Sequence, residues 1–366
     1  MTLALLILLP FLSAFACYGM RAGAARWLAV SVPLTLIALL VWSVTQSIID
    51  FSLPWLPALG INFSLKLTGL NVLLLLLTPL LTACALLLQT ERQSSAHPQL
   101  CGHMMLLLAS LQGVFLADNL GLFYIFFELM LVPTLLIVSY WGNGSSHRVA
   151  TKFLLYTLAG SLPMLLGIVQ LATLSDNPDL SFAALSQLPD TAQWGLFGLF
   201  FLAFAVKLPL FPLHGWLVDL YESSPAWSTA VIAGAMSKAG LYGFLKICLG
   251  LLPVASVWAA PTILLLASCS LVYGAVCALG ANSVRSVLAY SSLSHLALML
   301  IGIFSLTNPG KDGCLLQMFS HGLCTAGLFL VVACLAKRNF SETLGDLGGL
   351  HQKMPQLSTL ALLFSL

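Results

Sequence analysis

Three ionisable side chains stand inside runs that otherwise read as hydrocarbon. Lys207 closes the stretch Phe200-Phe201-Leu202-Ala203-Phe204-Ala205-Val206. Glu128 lies in Phe126-Phe127-Glu128-Leu129-Met130-Leu131-Val132-Pro133, and Lys238 in Ala233-Gly234-Ala235-Met236-Ser237-Lys238-Ala239-Gly240. A lysine at the middle of a bilayer costs roughly 2.5–3.5 kcal/mol on insertion scales. A chain that carries one there needs a partner, a water-filled cavity, or a proton to give up. Low dielectric favours the uncharged form of an ionisable group, and an opposite charge nearby favours the charged form. A Glu–Lys pair that can part is therefore a proton switch: joined, the lysine keeps its proton, and separated it tends to lose it. The other reading of the same residues is a static ion pair that fixes helix packing. Either reading predicts that Glu128 and Lys207 touch or nearly touch.

Lys207 is followed by Pro209, Pro212 and His214. Proline removes a backbone donor and clashes with the preceding turn, so the span should break just after the lysine. Broken spans survive in bilayers where the freed backbone groups face protein or a water-filled cavity, and transporters place ion sites at such breaks. His214, seven residues on, would share the face of Lys207 in an unbroken helix. Lys238 is set among small residues that let a neighbouring helix approach closely. His295 and His321 fall in two later apolar runs, each close to serines, and histidine titrates near neutral pH as a proton relay requires. Lys246 lies nearer a helix end, where it can snorkel, and is given no proton role. His97, His103, His147 and His351 lie in or near loops and are assigned none.

The elements that must position these groups are legible in the composition. The chain has 366 residues, 60% apolar and 7% charged, with a mean hydropathy of +1.01. Soluble domains carry about 25% charged residues, which excludes a soluble globular protein. Apolar runs fall at about 2–20, 27–49, 67–89, 101–118, 120–140, 151–174, 193–218, 227–250, 260–281, 285–305, 314–336 and 355–366. At about 20 residues per span these give 11–12 transmembrane helices in one all-α, polytopic membrane domain. The first run lacks a positive leading region and is followed by more spans, so it reads as a span rather than a signal peptide.

Alternate loops differ in charge. One set holds Arg21, Arg26, Arg92, Arg148, Lys152, Arg285, Lys337, Arg338 and Lys353. The other holds Lys66, Lys311 and the acidic stretch Asp176, Asp179, Asp190. The positive-inside rule makes the first set cytoplasmic (or matrix or stromal) and places the N-terminus on the opposite side. A net charge of +2 without a basic stripe gives no sign of nucleic acid as a partner. The nine cysteines form no Cys-x-x-Cys spacing and read as small buried hydrophobes, so no metal or iron–sulfur site is expected. Nucleotide loops, Ser/His/Asp arrangements and haem or quinone ligation patterns do not stand out. No cofactor and no catalytic residue is expected in this chain alone.

At the buried charges the sequence resembles the antiporter-like, proton-translocating membrane subunits of NADH:quinone oxidoreductase (respiratory complex I). The resemblance is to the subunit M type and to its counterparts in photosynthetic complexes. The matching stretches are Phe126–Pro133, Ala150-Thr151-Lys152-Phe153-Leu154-Leu155-Tyr156-Thr157, Ala205-Val206-Lys207-Leu208-Pro209-Leu210-Phe211-Pro212-Leu213-His214-Gly215-Trp216-Leu217, Leu288–His295 and Gln317–Leu323. The resemblance runs from about residue 60 to the end.

It implies that Glu128 is the fifth-helix glutamate modulating Lys207 on a broken seventh helix. Lys238 becomes the connecting lysine of the eighth, and His295 and His321 carry the path onward. It also implies two inverted five-helix repeats, the first over about 101–250 and an incomplete second over about 260–366. Partners would be other membrane subunits of a complex I-type assembly, with no NADH or quinone bound directly, and the setting would be a bacterial inner membrane or an organellar or thylakoid membrane.

An Mrp-type cation/proton antiporter subunit and an energy-converting hydrogenase membrane subunit share the pattern. Two departures bear on this. Leu217-Val218-Asp219-Leu220-Tyr221 stands where the family commonly has Leu-Pro-Asp-Ala-His. The family also continues through a second broken helix with a terminal Glu or Lys, whereas this sequence stops at Leu366. It therefore reads as interrupted: a fragment, a half completed by a second polypeptide, or a non-conducting assembly subunit.

Overall fold

A hydrocarbon setting leaves backbone N–H and C=O groups no partner but each other, so long apolar runs must become helices. The computed structural model describes residues 1–89, 98–173, 179–185 and 188–365; Arg92, His97, Asp176 and Leu366 lie outside the described residues. The main helices are α1 (Thr2–Gly19), α2 (Ala22–Thr45), α3 (Gly69–Leu88), α4 (Pro98–Leu116), α5 (Leu120–Trp141) and α6 (Ser146–Thr173). Then come α7 (Asp190–Lys207), α8 (Ala226–Leu251), α9 (Pro253–Leu279), α10 (Val284–Phe304), α11 (Asn308–Lys337) and α12 (Pro355–Ser365). Ten of them, all but α7 and α12, are long and apolar enough to cross a membrane. The chain is an integral, multi-pass membrane protein.

α8 is the central element, almost wholly enclosed by its neighbours, whereas α9 turns Trp258, Leu265, Val272 and Val276 outward, as a lipid-facing helix does. Cysteines follow the same division. Cys17, Cys101, Cys248 and Cys314 are buried, but Cys269 on α9 is exposed, which corrects the expectation that the cysteines are buried hydrophobes.

Among the described residues, one element departs from an all-helical reading. Between α2 and α3 the chain forms an antiparallel hairpin, β1 (Asp50–Leu56) and β2 (Ile61–Lys66), turning at Gly60 with φ of +67°. Pro54 and Pro57 interrupt any period-2 signal, so the sequence gives it no signature. The hairpin stitches one end of the bundle together: Gly60 O accepts from Asn119 Nδ2 at 3.0 Å and from Leu180 N at 3.2 Å, and Ser64 O accepts from Asp118 N at 2.8 Å. Asn119 also caps α5, its Oδ1 accepting from Gly121 N and Leu122 N, which sets the start of the helix that carries Glu128.

Candidate ion-translocation site

α7 ends at Lys207, as Pro209 and Pro212 require; the chain then passes through turns to the short helix Leu217–Ser223. A break in hydrocarbon exposes carbonyls. Here Trp216 Nε1 donates to Val206 O at 3.0 Å, beside Lys207, and Leu210 N donates to Ala205 O at 2.9 Å. Two glycines bring the neighbours in. A Cβ on Gly160 of α6 would stand 2.7 Å from Val206 Cβ, and one on Gly240 of α8 would stand 3.2 Å from both Leu208 N and Phe204 O.

Lys207 is 2% exposed. Its Nζ has no hydrogen-bond partner among the described residues and faces the rings of Phe127 at 5.3 Å and Phe153 at 5.6 Å. Glu128, next to Phe127, is its electrostatic neighbour, and the Ser161 hydroxyl of α6 also interacts with that carboxyl. Among the described residues, Glu128 Oε1 is buried without a hydrogen bond and no ion pair joins it to Lys207. The expected contact is thus a near approach: the two are electrostatic neighbours without an ion pair.

Lys238 is buried in α8 between two π-helical turns, Ile232–Met236 and Phe244–Cys248. Such turns widen a helix locally and are frequent at functional sites. Its Nζ donates to Ala233 O at 2.8 Å and Ser237 Oγ at 3.3 Å, and lies 3.0 Å from His321 Nδ1 on α11. His321 Nε2 pairs in turn with Thr325 Oγ1 at 3.2 Å. The His295 ring on α10 is 5.3 Å from that of His321. It opens into a groove of about 410 Å³ between α10 and α11, lined also by Met299, Gly302, Gly313 and Gln317. Lys238, His321 and His295 therefore form one continuous group.

His214 is placed differently. Its ring stacks on Phe211 at 5.6 Å and meets Tyr273 of α9 edge-on at 4.9 Å. Its buried Nδ1 has no hydrogen-bond partner among the described residues, and its charged neighbour is Lys152. Lys152 pairs with Asp219 of the short helix at 2.7 Å. The histidine belongs to the mouth of the break, with Lys152 and Asp219, rather than to an extension of the Lys207 face.

Two residues to which the sequence assigns no role, one read as able to snorkel and one as lying in or near a loop, are held inside the bundle. Lys246 does not snorkel freely: its Nζ donates to Ala117 O at 2.5 Å, pairs with Asp118 Oδ1 at 3.5 Å and lies 4.5 Å above the Phe182 ring. His103 is buried in α4, with Nδ1 paired to Gln99 O and 3.3 Å from Tyr18 Oη. The only sequence signal for either is its place in an apolar run.

A polytopic bundle with a discontinuous span and ionisable groups buried on successive helices defines an ion-translocating membrane subunit. Comparison with known proteins gives the family. The family described as NADH:quinone oxidoreductase/Mrp antiporter, TM, matches residues 117–366. An NAD(P)H-quinone oxidoreductase chain 4 of Synechococcus sp. (strain JA-3-3Ab) is 37% identical, the match covering 97% of this chain and 69% of that protein. NADH-quinone oxidoreductase subunit M of Escherichia coli (strain K12) is 35% identical, covering 100% of this chain and 77% of the relative. A subunit of respiratory complex I from Thermus thermophilus superposes with a TM-score of 0.91 at 32% identity, covering 100% of this chain and 77% of that one. The chain belongs to this family of antiporter-like membrane subunits.

Proposed function

We propose that the chain is a proton-translocating membrane subunit of a complex I-type NAD(P)H or ferredoxin:quinone oxidoreductase. Protons pass along Glu128, Lys207, Lys238, His321 and His295, with His214 at the mouth of the break, driven by redox chemistry in other subunits. The observation that carries this reading is the placement of two buried lysines on adjacent spans. Lys207 sits at a helix break with no hydrogen-bond partner among the described residues, and Lys238 is hydrogen-bonded to a histidine. Ionisable groups this deep are costly to bury, rare, and mark ion pathways.

Glu128 and Lys207, electrostatic neighbours without an ion pair between them, are the two halves of the switch. The subunit binds neither NADH nor quinone itself and works beside other membrane subunits. Residues 101–250 form the first repeat and 260–366 part of a second. The basic loops support a cytoplasmic face opposite the N-terminus, in a bacterial inner membrane.

The test is to purify the native complex carrying Lys207→Ala, reconstitute it in proteoliposomes, and measure proton uptake alongside quinone reduction. Assembly with lost proton uptake is the expected result. Wild-type uptake in Lys207→Ala rejects the reading, and a sodium gradient in place of a proton gradient moves the subunit to cation antiport.

A further inference from the structure

Arg285 stands at the first turn of α10, where the sequence suggests an ordinary loop cation, yet it is 4% exposed. Its guanidinium is divided between two tasks. Nε and Nη2 hold Glu342, in the segment after α11, in a two-pronged pair at 2.6 and 2.8 Å. Nη1 turns the other way and donates to Ser224 O at 2.5 Å, Glu222 O at 3.3 Å and Tyr221 O at 3.4 Å. Those carbonyls are the unpaired C-terminal end of the short helix Leu217–Ser223, where a cation is doubly favourable through hydrogen bonds and the helix dipole. Glu222 of that helix also bonds Ser286 and, at 3.4 Å, Ser283.

At its other end the short helix is preceded by its N-cap residue Trp216, whose indole holds Val206 O beside Lys207. Seven residues of helix span only about 10 Å, a rigid strut rather than a tether. One end of the strut is therefore fixed by Arg285 and the other is fastened to the carbonyl next to the buried lysine.

We infer that Arg285 is a positioning residue for proton translocation: by capping the helix that follows the break, it holds the Lys207 turn in register. The inference rests on the proposed function above. Arg285 touches neither Lys207 nor Glu128; it acts through the Leu217–Ser223 strut and Trp216. Lysine at this position supplies charge but not the planar fork that serves Glu342 and three carbonyls at once.

The test uses the native complex with Arg285→Gln, Arg285→Lys and Glu342→Gln, each assayed for quinone reduction, for proton uptake in proteoliposomes, and for amide hydrogen exchange. Arg285→Gln should speed exchange at Leu210, Leu213 and Leu217 in the break and reduce proton uptake by roughly tenfold or more, since small misplacements of a reacting group carry large rate costs. Arg285→Lys should recover part of both effects. Glu342→Gln leaves the carbonyl bonds in place, so faster exchange should be confined to Val284 and Leu344, whose amides pair with Glu342 O and Asn282 O. If Arg285→Gln speeds exchange only at Val284 and Leu344 and leaves uptake unchanged, Arg285 is a loop anchor and the inference is wrong. Where Arg285→Gln does not assemble, Arg285→Lys decides between the same outcomes at smaller amplitude. Lys207→Ala serves as reference: normal uptake there rejects the proton-translocating reading itself, whereas lost uptake there with normal uptake in Arg285→Gln rejects only the positioning role.

Discussion

Lys238 Nζ lies 3.0 Å from His321 Nδ1, and with Ala233 O and Ser237 Oγ this neighbour completes three partners for the three N–H bonds of an ammonium. When the lysine is charged, Nδ1 accepts, and the imidazole proton sits on Nε2, facing Thr325 Oγ1. A proton passed to Nδ1 must then leave from Nε2, away from α8. Burial, the lysine's need for three acceptors and the tautomer of the histidine are thus tied together at one contact.

His321→Gln should separate structure from conduction here. A glutamine amide oxygen can stand in for Nδ1 as acceptor, so the complex should assemble and reduce quinone, but an amide cannot relay a proton, and uptake in proteoliposomes should fall. His321→Ala removes the acceptor altogether and leaves a buried N–H unpaired, a loss of about 1–3 kcal/mol. Thermal inactivation should therefore shift for the alanine variant and much less for the glutamine. Equal uptake in wild type and His321→Gln would remove His321 from the path.

The same contact depends on two glycines. A Cβ on Gly322 would stand 2.8 Å from Gly234 O, and one on Gly234 would stand 3.0 Å from Gly322 O, so α8 and α11 meet backbone to backbone within a turn of Lys238 and His321. Gly322→Ala must push the helices apart, at an overpacking cost of about 1–3 kcal/mol. Gly195→Ala on α7, where nothing lies within 4 Å, is the matched control. Thermal stability of the purified complex should drop for the first and hold for the second.

How much of this is legible in the sequence follows from what each feature depends on. The spans are, because membrane helices are specified by runs of one-letter chemistry; α5, expected at 120–140, spans Leu120–Trp141. The break after Lys207 is legible too, since two prolines dictate it. The Lys238–His321 contact is not, because residues 83 apart meet only through a helix crossing that the two glycines permit. The hairpin is hidden by its prolines. Arg285 looks like a loop charge, since nothing local marks an arginine whose partners lie 57–64 residues away in chain order. Lys246 misleads for a similar reason: position along a helix predicts depth, but its partner Asp118 belongs to another turn.

Trp216 offers a test of the break itself. Trp216→Phe keeps an aromatic ring against Phe153, 5.2 Å away, but removes the donor to Val206 O. A buried carbonyl left without its partner costs about 1–3 kcal/mol. The expected result is lower thermal stability with faster amide exchange confined to residues 208–217. Unchanged exchange there would mean that the break is held without the indole.

Lys246 should behave unlike Lys238 although both are lysines on one helix. Its pairing with Asp118 is 3.5 Å long, and the Asp118 side chain is 25% exposed, so the ion pair by itself contributes at most about 1 kcal/mol. The bond to Ala117 O at 2.5 Å and the Phe182 ring beneath the ammonium add to the anchorage of the hairpin end of the bundle. Lys246→Met keeps the apolar stem and removes the charge. The complex should lose a little thermal stability, with only a weak salt dependence, because a part-buried pair is screened much less than an exposed one. Proton uptake per electron should stay at the wild-type value, because the polar partners of Lys246 are Ala117 O and Asp118, not the Lys238–His321 group. A large loss of uptake in Lys246→Met with assembly intact would extend the path through Asp118 to the hairpin face, and would make the lysine nearest the helix end its last carrier.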